Sequence, residues 1–211
     1  MSAVTIPRFN FRAVMSAARE VEERLDRITT ALTASGVPYA VVGGNAVAHW
    51  VSTKNPHVIR MTKDVDVLMR QEDLKTAGDA IRSSGFIYRH AAGIDFFLDG
   101  PGSRFSDAVH IVKAGLKVRP EYVLPAPDVS ESVFGEEGYP VVTLEALVRM
   151  KLTSFRKSDQ THVEDLIGVG LVDRTWLDLV PIELRDRLQK IFEELPPPRP
   201  EILLDEHPPR E

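Results

Sequence analysis

The sequence predicts a mixed α/β fold, in which a small mixed sheet is flanked by helices and followed by a compact helical segment. Apolar residues recur every three and four positions from Phe11 to Ser35, which is typical of an amphipathic helix. Short apolar runs bounded by glycines then indicate a series of strands, and helical periodicity returns at Thr143. We therefore expect a core of residues 1–142, a helical segment of residues 143–195 and a proline-rich tail of residues 196–211.

The composition excludes several classes of protein. The chain has 211 residues, of which 43% are hydrophobic, so that one compact domain can bury a sizeable core. A formal charge of -5 argues against a surface coated in basic side chains for long nucleic acids. The absence of cysteine excludes disulfides and thiolate metal sites, and no apolar run approaches the roughly 20 residues that span a bilayer. We expect a soluble, cytoplasmic protein that does not enter the membrane.

In the first half of the chain, helices and strands alternate after the long N-terminal helix. The run YAVVGG indicates a short buried strand, and NAVAHWVS indicates a helix with Asn45 as a candidate cap. A second strand is predicted at KDVDVLM and a helix at QEDLKTAGDAIRSSG, which ends at Gly85. Three further strands are predicted at FIYRH, IDFFLD and AVHIV.

The second half begins with a long irregular region and ends in helices. Residues from Lys117 to Tyr139 are rich in proline and glycine, which indicates a surface excursion with little regular structure. A helix is predicted at TLEALVRMKLTSF, and two more are predicted near DQTHVEDLIGVG and PIELRDRLQKIFEEL. The tail PPPRPEILLDEHPPRE is expected to be extended or disordered.

Two aspartates inside an apolar strand are the first candidate for chemistry. Because side chains alternate across a strand, Asp64 and Asp66 are expected on one face, with Val65 and Val67 on the other. Two carboxylates this close repel each other unless a positive charge lies between them. Carboxylate oxygens suit Mg²⁺ or Mn²⁺, and Mg²⁺ commonly takes one or two protein carboxylates together with substrate phosphates.

The glycine pair offers a complementary phosphate site. Gly43 and Gly44 lie between a strand and a helix, where exposed backbone N–H groups can bind an anion. Each motif alone has a plain alternative, namely a turn for the glycines and a solvated strand end for the aspartates. A phosphatase-like Asp-x-Asp is disfavoured, because Leu68 stands where a threonine is usual. The combined order of the glycine pair and the aspartate pair, strand–Gly-Gly–helix–Asp-x-Asp strand, favours a site for a nucleoside triphosphate with its metal.

The runs GGNAVAHW and RMTKDVDVLM resemble the nucleotidyltransferase superfamily, whose signature is a glycine pair followed by an Asp-x-Asp strand. The Arg-x-Thr-x-Asp-x-Asp form and the later LEALVRMKLTSFRKSDQTHVEDLI are similar to the branch of small bacterial proteins around the AbiEii-type toxins. The resemblance covers Val41 to Leu171. It implies that Gly43 and Gly44 contact the triphosphate and that Asp64 and Asp66 bind the metal.

The resemblance also implies a third carboxylate, and here the sequence departs from the family. The strand expected to carry it is SDAVHIV, in which His110 occupies the central place. Asp107 lies at the strand entrance on the face opposite His110, so we predict Asp107, rather than Asp95, as the third metal-side acid. The departure leaves open a catalytically inactive nucleotide-binding or regulatory protein of the same fold, including a toxin–antitoxin role.

By the same resemblance, the reaction is transfer of a nucleoside monophosphate from NTP to a hydroxyl, with release of pyrophosphate. The acceptor stays open among an RNA end such as that of tRNA, a protein side chain and a small antibiotic-like alcohol.

Basic and amide side chains are the remaining candidates for nucleotide binding. We predict this role for Asn45, Arg60, Lys63 and Lys151. Arg60 and Lys63 alternatively belong to a plain solvated loop, and Lys151 is alternatively a lysine that extends along an apolar stripe to water.

Three polar residues recur every three positions in the last third of the chain. Asp159, His162 and Asp165 have the spacing of one helix face and are candidate metal ligands. The favoured interpretation is structural, with Asp159 as a helix cap and Asp165 paired with Arg156.

Overall fold

The structure is a computed structural model that describes residues 10–195. Its α-helices are α1 (Phe11–Ser35), α2 (Gly43–Ser52), α3 (Leu74–Ala80), α4 (Leu144–Ser154), α5 (Lys157–Gly168), α6 (Trp176–Leu179) and α7 (Ile182–Glu194). Its strands are β1 (Tyr39–Val42), β2 (Val65–Met69), β3 (Ile87–Ala91), β4 (Ile94–Leu98), β5 (Val109–Lys113), β6 (Ser132–Phe134) and β7 (Pro140–Val142). The predicted mixed α/β fold is confirmed.

The strands form one seven-stranded mixed sheet in the order β3-β4-β5-β2-β1-β7-β6. The central pair β1–β2 is antiparallel, whereas β2–β5 and β1–β7 are parallel. The outer pairs β3–β4, β4–β5 and β6–β7 are antiparallel. Asp66 therefore lies near the start of a strand in the middle of the sheet, and Asp64 directly precedes that strand.

The register of the central strands divides the side chains between two faces. Asp66 on β2 is level with Val42 on β1 and with His110 on β5, and His110 is level with Phe96 on β4. Side chains that are level across a sheet project from the same face. One face of the sheet thus carries a row formed by Val42, Asp66, His110 and Phe96, which we call the cross-strand row.

The other face packs against α1. The Asn10 side chain accepts a hydrogen bond from the backbone of Ala13 at the start of the helix, and Gly36 ends it in a left-handed conformation at φ 69°. Leu25, Ile28 and Leu32 are buried. The Tyr39 hydroxyl donates to the carbonyl of Thr29, which ties β1 to this helix.

Most predicted elements are confirmed, with several differences, one of which is that the strand β7 was not predicted. The helix after β1 begins at Gly43, so Asn45 lies inside its first turn, and the prediction of Asn45 as a cap is wrong. The region from Lys117 to Tyr139 is largely irregular, as expected, but it contributes the edge strand β6. The short helix α6 was not predicted. The tail prediction and the first nine residues lie outside the described range.

Within residues 10–195, no helix combines the length and the apolarity that a membrane crossing requires.

Candidate active site

The turn from β1 into α2 brings a carboxylate against a helix start. Gly43 has φ 69°, a left-handed conformation that favours glycine, and a Cβ at this position would overlap the Asp66 carboxylate. No side chain caps the first turn of α2, because Val42 occupies the cap position. The free N–H groups of this turn and the Asp66 carboxylate are therefore immediate neighbours.

His110 faces Asp66 from the next strand. Its Nδ1 lies 3.7 Å from Asp66 Oδ1, beyond good hydrogen-bond length, and its Nε2 is buried without a hydrogen-bond partner among the described residues. The interaction with Asp66, assisted by the charge of Asp64, raises the pKa of His110 above its ordinary value, although burial opposes the rise. Asp64, Asp66 and His110 therefore belong to one electrostatic cluster.

The loop before β2 is fixed by α2. The Asn45 side chain donates a 2.9 Å hydrogen bond to the backbone carbonyl of Asp64. Gly44 lies against the same loop, since a Cβ on it would come within 2.7 Å of Thr62 Oγ1. Both contacts hold the backbone of Asp64 beside the first turn of α2.

A cavity of about 420 Å³ opens beside this cluster. Gly43, Asp66 and His110 line one side, and residues of α4 and the start of α5 line another. The cavity walls combine apolar side chains with both charge signs. Its charged and ionisable lining residues are Asp66, His110, Arg119, Tyr122, Lys151, Arg156 and Asp159.

Lys151 lines the cavity and forms a buried ion pair with Asp159. The Lys151 side chain is only 8% exposed, and its Nζ lies 3.2 Å from Oδ1 of Asp159, which is 1% exposed. Asp159 also accepts hydrogen bonds from Ser154 Oγ at 2.7 Å and from Arg156 Nε at 2.8 Å. Burial alone would raise the pKa of Asp159, but Arg156, Lys151 and Ser154 outweigh burial and lower it. Lys151 thus does not extend to bulk water.

The structural interpretation of the α5 residues is partly confirmed. Arg156 holds the cap position of α5, and its backbone N–H donates to Oδ2 of Asp159, the third residue of the helix, at 3.2 Å. Asp159 therefore takes part in capping, but from inside the first turn. The predicted pairing of Asp165 with Arg156 is wrong, because Asp165 pairs with Arg60 at 2.6 Å. The Nδ1 atom of His162 is buried without a hydrogen-bond partner among the described residues, and burial lowers its pKa.

Arg60 and Lys63 lie outside the cavity lining. Arg60 reaches α5 through its ion pair with Asp165, and this contact raises the pKa of the guanidinium group. Lys63 is exposed and has no ion-pair partner among residues 10–195. Both residues flank the Asp64 loop, and neither contacts the cavity in this conformation.

The expectation that the metal face of β5 lies opposite His110 is wrong. Because β2 and β5 are parallel with Asp66 level with His110, the face that carries Asp66 also carries His110. Asp107 lies in a short 3-10 turn before β5, where it accepts hydrogen bonds from Arg104 Nε and Ser106 Oγ, each at 3.1 Å. Asp107 is therefore not on the face of Asp66, and it does not line the cavity.

Asp95 does not supply the third metal-side carboxylate either. It is buried on the face opposite to Phe96 and the cross-strand row. There its carboxylate accepts hydrogen bonds from Tyr88 and His90, and it lies 2.7 Å from Lys113 Nζ.

One wall of the cavity was not predicted from the sequence. The irregular segment between β5 and β6 contributes Val118, Arg119, Tyr122 and Leu124 to the lining. Arg70 at the end of β2 holds this segment through two hydrogen bonds to Asp128, at 2.7 and 3.0 Å. The available signal was the presence of aromatic and aliphatic side chains in a region otherwise typical of an exposed loop.

The carboxylates at this site fit a divalent cation whose remaining ligands are water and phosphate oxygens. Within residues 10–195, no group of three or more histidine, aspartate or glutamate side chains encloses a metal position. Mg²⁺ needs only one or two protein carboxylates when water and phosphate oxygens complete its shell. Asp66 can supply one of them at the cavity wall, where its side chain is 26% exposed. Asp64 is the candidate for the other, and it lies exposed just before β2, outside the cavity lining.

The comparisons with known proteins give weak structural likeness only. The sequence matches no protein-family model, and the comparison with curated proteins found no match. The chain is similar to the antibiotic-resistance factor ANT(2'')-Ia in solution, with 13% identity over 85% of this chain and 94% of that one, at a TM-score of 0.49.

Two further structures show likeness at the same level. A crystal structure of ANT(2'')-Ia with adenylyl-2''-tobramycin gives 12% identity over 81% and 96% of the two chains, at a TM-score of 0.48. An antigenic nucleotidyltransferase-like protein from Paracoccidioides brasiliensis gives 17% identity over 83% and 88%, at 0.49. Likeness this slight assigns no function to this chain.

Proposed function

We propose that this protein transfers a nucleoside monophosphate from NTP to a hydroxyl acceptor in the presence of Mg²⁺ or Mn²⁺. The observation that carries the proposal is the contact between the Asp66 carboxylate and the glycine turn at the start of α2. A metal-binding group and a phosphate-binding group are neighbours there, at the wall of a cavity that also contains Lys151. A glycine turn that only reverses the chain does not need a carboxylate beside it. A carboxylate at a helix start is, however, also stabilising without any ligand.

Each element of the site has a distinct task in this proposal. The N–H groups at the start of α2 hold phosphate oxygens, and Lys151 and Arg156 offset the negative charge of the triphosphate. Asp64 and Asp66 would hold the cation, which would supply positive charge to the attacking and leaving oxygens. Asn45 acts indirectly, because it fixes the backbone of Asp64. The apolar wall around Tyr122 and Leu124 is available for the base or the acceptor.

The second candidate is a nucleotide-binding or regulatory protein without transferase activity. The specific observation in its favour is His110, which occupies the position level with Asp66 where the superfamily resemblance implies an acid. An imidazole with a raised pKa adds positive charge beside the metal-side carboxylates. Such a site still attracts phosphate, so both candidates predict nucleotide binding and they differ only in transfer.

Transfer of label tests the proposal directly. The protein is incubated with each α-³²P-labelled NTP, a cell extract and Mg²⁺ or Mn²⁺, and labelled RNA, protein and small molecules are separated. We expect one acceptor class to acquire label with the wild type and none with Asp66→Asn. Asp107→Asn is the matched control, because it removes the same charge outside the cavity and should leave labelling unchanged.

The outcomes separate the candidates. Metal-dependent NTP binding without any transfer favours the non-catalytic protein. Equal metal-dependent NTP binding by the wild type and by the Asp64→Asn/Asp66→Asn double variant contradicts the site for both candidates.

A further inference from the structure

The imidazole of His110 is the one ionisable group beside Asp66 to which the proposed chemistry gives no task. His110 lies in the middle of β5, level with Asp66 on the same face of the sheet, and both side chains line the cavity. The His110 side chain is 24% exposed and that of Asp66 is 26% exposed, so a ligand in the cavity can reach both. Imidazole nitrogen and carboxylate oxygen are common partners in binding one metal ion.

The separation of the two side chains leaves room for an ion between them. Nδ1 of His110 lies 3.7 Å from Oδ1 of Asp66, which is longer than a good hydrogen bond. Two atoms that each bind the same cation at about 2.1 Å can lie up to about 4.2 Å apart, because the cation stands between them. The observed separation falls within that span.

The two ring nitrogens of His110 have different surroundings. Nε2 is buried and has no hydrogen-bond partner among residues 10–195, whereas Nδ1 is the nitrogen that faces Asp66. Aromatic packing supports this orientation, since the Phe105 ring lies 5.0 Å from the His110 ring and meets the Phe96 ring edge-on. Nδ1 is therefore the nitrogen available to a cation beside Asp66.

We propose that Nδ1 of His110 is a metal donor beside Asp66, and that the site therefore prefers a first-row transition ion to Mg²⁺. Imidazole nitrogen binds transition ions well, whereas Mg²⁺ strongly favours oxygen. The inference rests on the proposed function, from which it takes the cation at Asp66. His110 then supplies a nitrogen donor at the position where the superfamily resemblance implies a carboxylate.

Electron spin-echo spectroscopy of bound Mn²⁺ tests the nitrogen donor without any measurement of activity. Mn²⁺ is the transition ion whose ligands most resemble those of Mg²⁺, so it gives a stringent probe. The full chain, labelled with ¹⁵N only at histidine, is loaded with Mn²⁺ in the presence of inorganic triphosphate, which contains no nitrogen. We expect the ¹⁵N coupling of a directly bound imidazole in the wild type and no such coupling in His110→Asp.

His57→Asp is the matched control, because it makes the same replacement at an exposed histidine outside the cavity lining. It should keep the ¹⁵N coupling of the wild type. Circular dichroism and thermal melts establish that each variant is folded. The spectra of the wild type and of Asp66→Asn decide the nitrogen donor even where His110→Asp does not fold.

Competition between the two cations tests the preference. Protein-bound Mn²⁺ is measured by equilibrium dialysis against inorganic triphosphate and rising Mg²⁺. In His110→Asp, the ratio of Mg²⁺ to Mn²⁺ that displaces half of the bound Mn²⁺ should fall at least about tenfold, because an oxygen replaces the nitrogen donor. His57→Asp should require the same ratio as the wild type.

The outcomes distinguish this inference from the proposed function. Mn²⁺ binding that is lost in Asp66→Asn but shows no histidine coupling in the wild type overturns the inference and leaves the proposed function in place. An unchanged displacement ratio in folded His110→Asp overturns the preference in the same way. A wild type that binds no Mn²⁺, or Mn²⁺ binding that survives Asp66→Asn, contradicts the cation site and with it both proposals.

Discussion

The ion pair of Lys151 and Asp159 gives the sharpest test at the scale of single residues. Both side chains are buried, so that Asp159→Asn leaves Lys151 without its counter-charge. We expect the free energy of unfolding at neutral pH to fall by about 3 kcal/mol. Urea denaturation followed by circular dichroism measures this change. Asp79→Asn, which disturbs an exposed pair with Arg82, is the control and should change stability by less than about 0.5 kcal/mol.

The direction of the pKa shift fixes how this effect depends on pH. The folded-state pKa of Asp159 lies below its ordinary value of 3.8, so the folded state binds a proton less readily than the unfolded state. The stabilisation is therefore fully present above the ordinary value and is lost as pH falls through the folded pKa. The difference between wild type and Asp159→Asn should shrink in acid below about pH 4. A difference that stays constant down to pH 3 would contradict an ionised Asp159.

The residues of the site could be predicted from the sequence only where the order of neighbouring elements along the chain decides which side chains meet. The closeness of Gly43 to Asp66 follows from the order of strand, turn, helix and strand, whereas the common face of Asp64 and Asp66 stays a prediction, because Asp64 precedes β2. The face of His110 did not follow, because it depends on which strand neighbours β2 and in which direction it runs. A one-residue change of register would have reversed that face. The error over Asp107 arose at this step.

At the scale of elements, the contact between α2 and the loop before β2 gives two possible reasons why residue 44 is a glycine, and they can be tested separately. Gly44 is needed either to make room for Thr62 or to let a phosphate approach the backbone. Gly44→Ala should weaken NTP binding under both explanations. With Thr62→Gly the side-chain conflict disappears, because the atoms that a Cβ would meet belong to Thr62.

We expect Gly44→Ala/Thr62→Gly to bind NTP at least about tenfold more weakly than Thr62→Gly alone, as a lost hydrogen bond to a charged group implies. Isothermal titration calorimetry with Mg²⁺ present measures both affinities. Equal affinities would mean that Gly44 serves only to accommodate Thr62.

Helices and strands were predicted well where periodicity was strong, as in α1 and α4. The region from Lys117 to Tyr139 was predicted as surface because it is rich in proline and glycine. Its Tyr122 and Leu124 nevertheless line the cavity. The composition of a segment indicates whether it forms helices or strands. It does not indicate where an irregular segment lies, because that depends on contacts between residues distant in sequence, such as the Arg70–Asp128 ion pair.

At the scale of the whole molecule, the cavity joins the two halves that the sequence suggested. Asp66 and His110 belong to the sheet, whereas Lys151, Arg156 and Asp159 belong to the helical segment. The sequence boundary at residue 143 therefore separates residues that line a common cavity. Chain order alone could not predict this, because it depends on how α4 and α5 pack against the sheet.

Arg187 on α7 links this packing to the site. Its Nη1 donates hydrogen bonds to the carbonyls of Leu152 and Thr153, both at 2.7 Å, and its guanidinium lies 5.2 Å from the centre of the Phe155 ring. Arg187→Ala leaves the end of α4 without these donors and should lower the free energy of unfolding by about 2 kcal/mol. Lys190→Ala, on an exposed position of the same helix, is the control and should have little effect.

Differential scanning calorimetry with and without NTP and Mg²⁺ then tests the coupling of the two halves. Because both halves line the cavity, we expect one cooperative transition in the wild type, raised as a unit by the nucleotide. Arg187→Ala should lower that single transition and also weaken nucleotide binding, since Lys151 and Arg156 lie on either side of the carbonyls that Arg187 holds. Two separate transitions, of which the nucleotide shifts only the earlier half of the chain, would show that the helical segment folds independently and contributes nothing to the site.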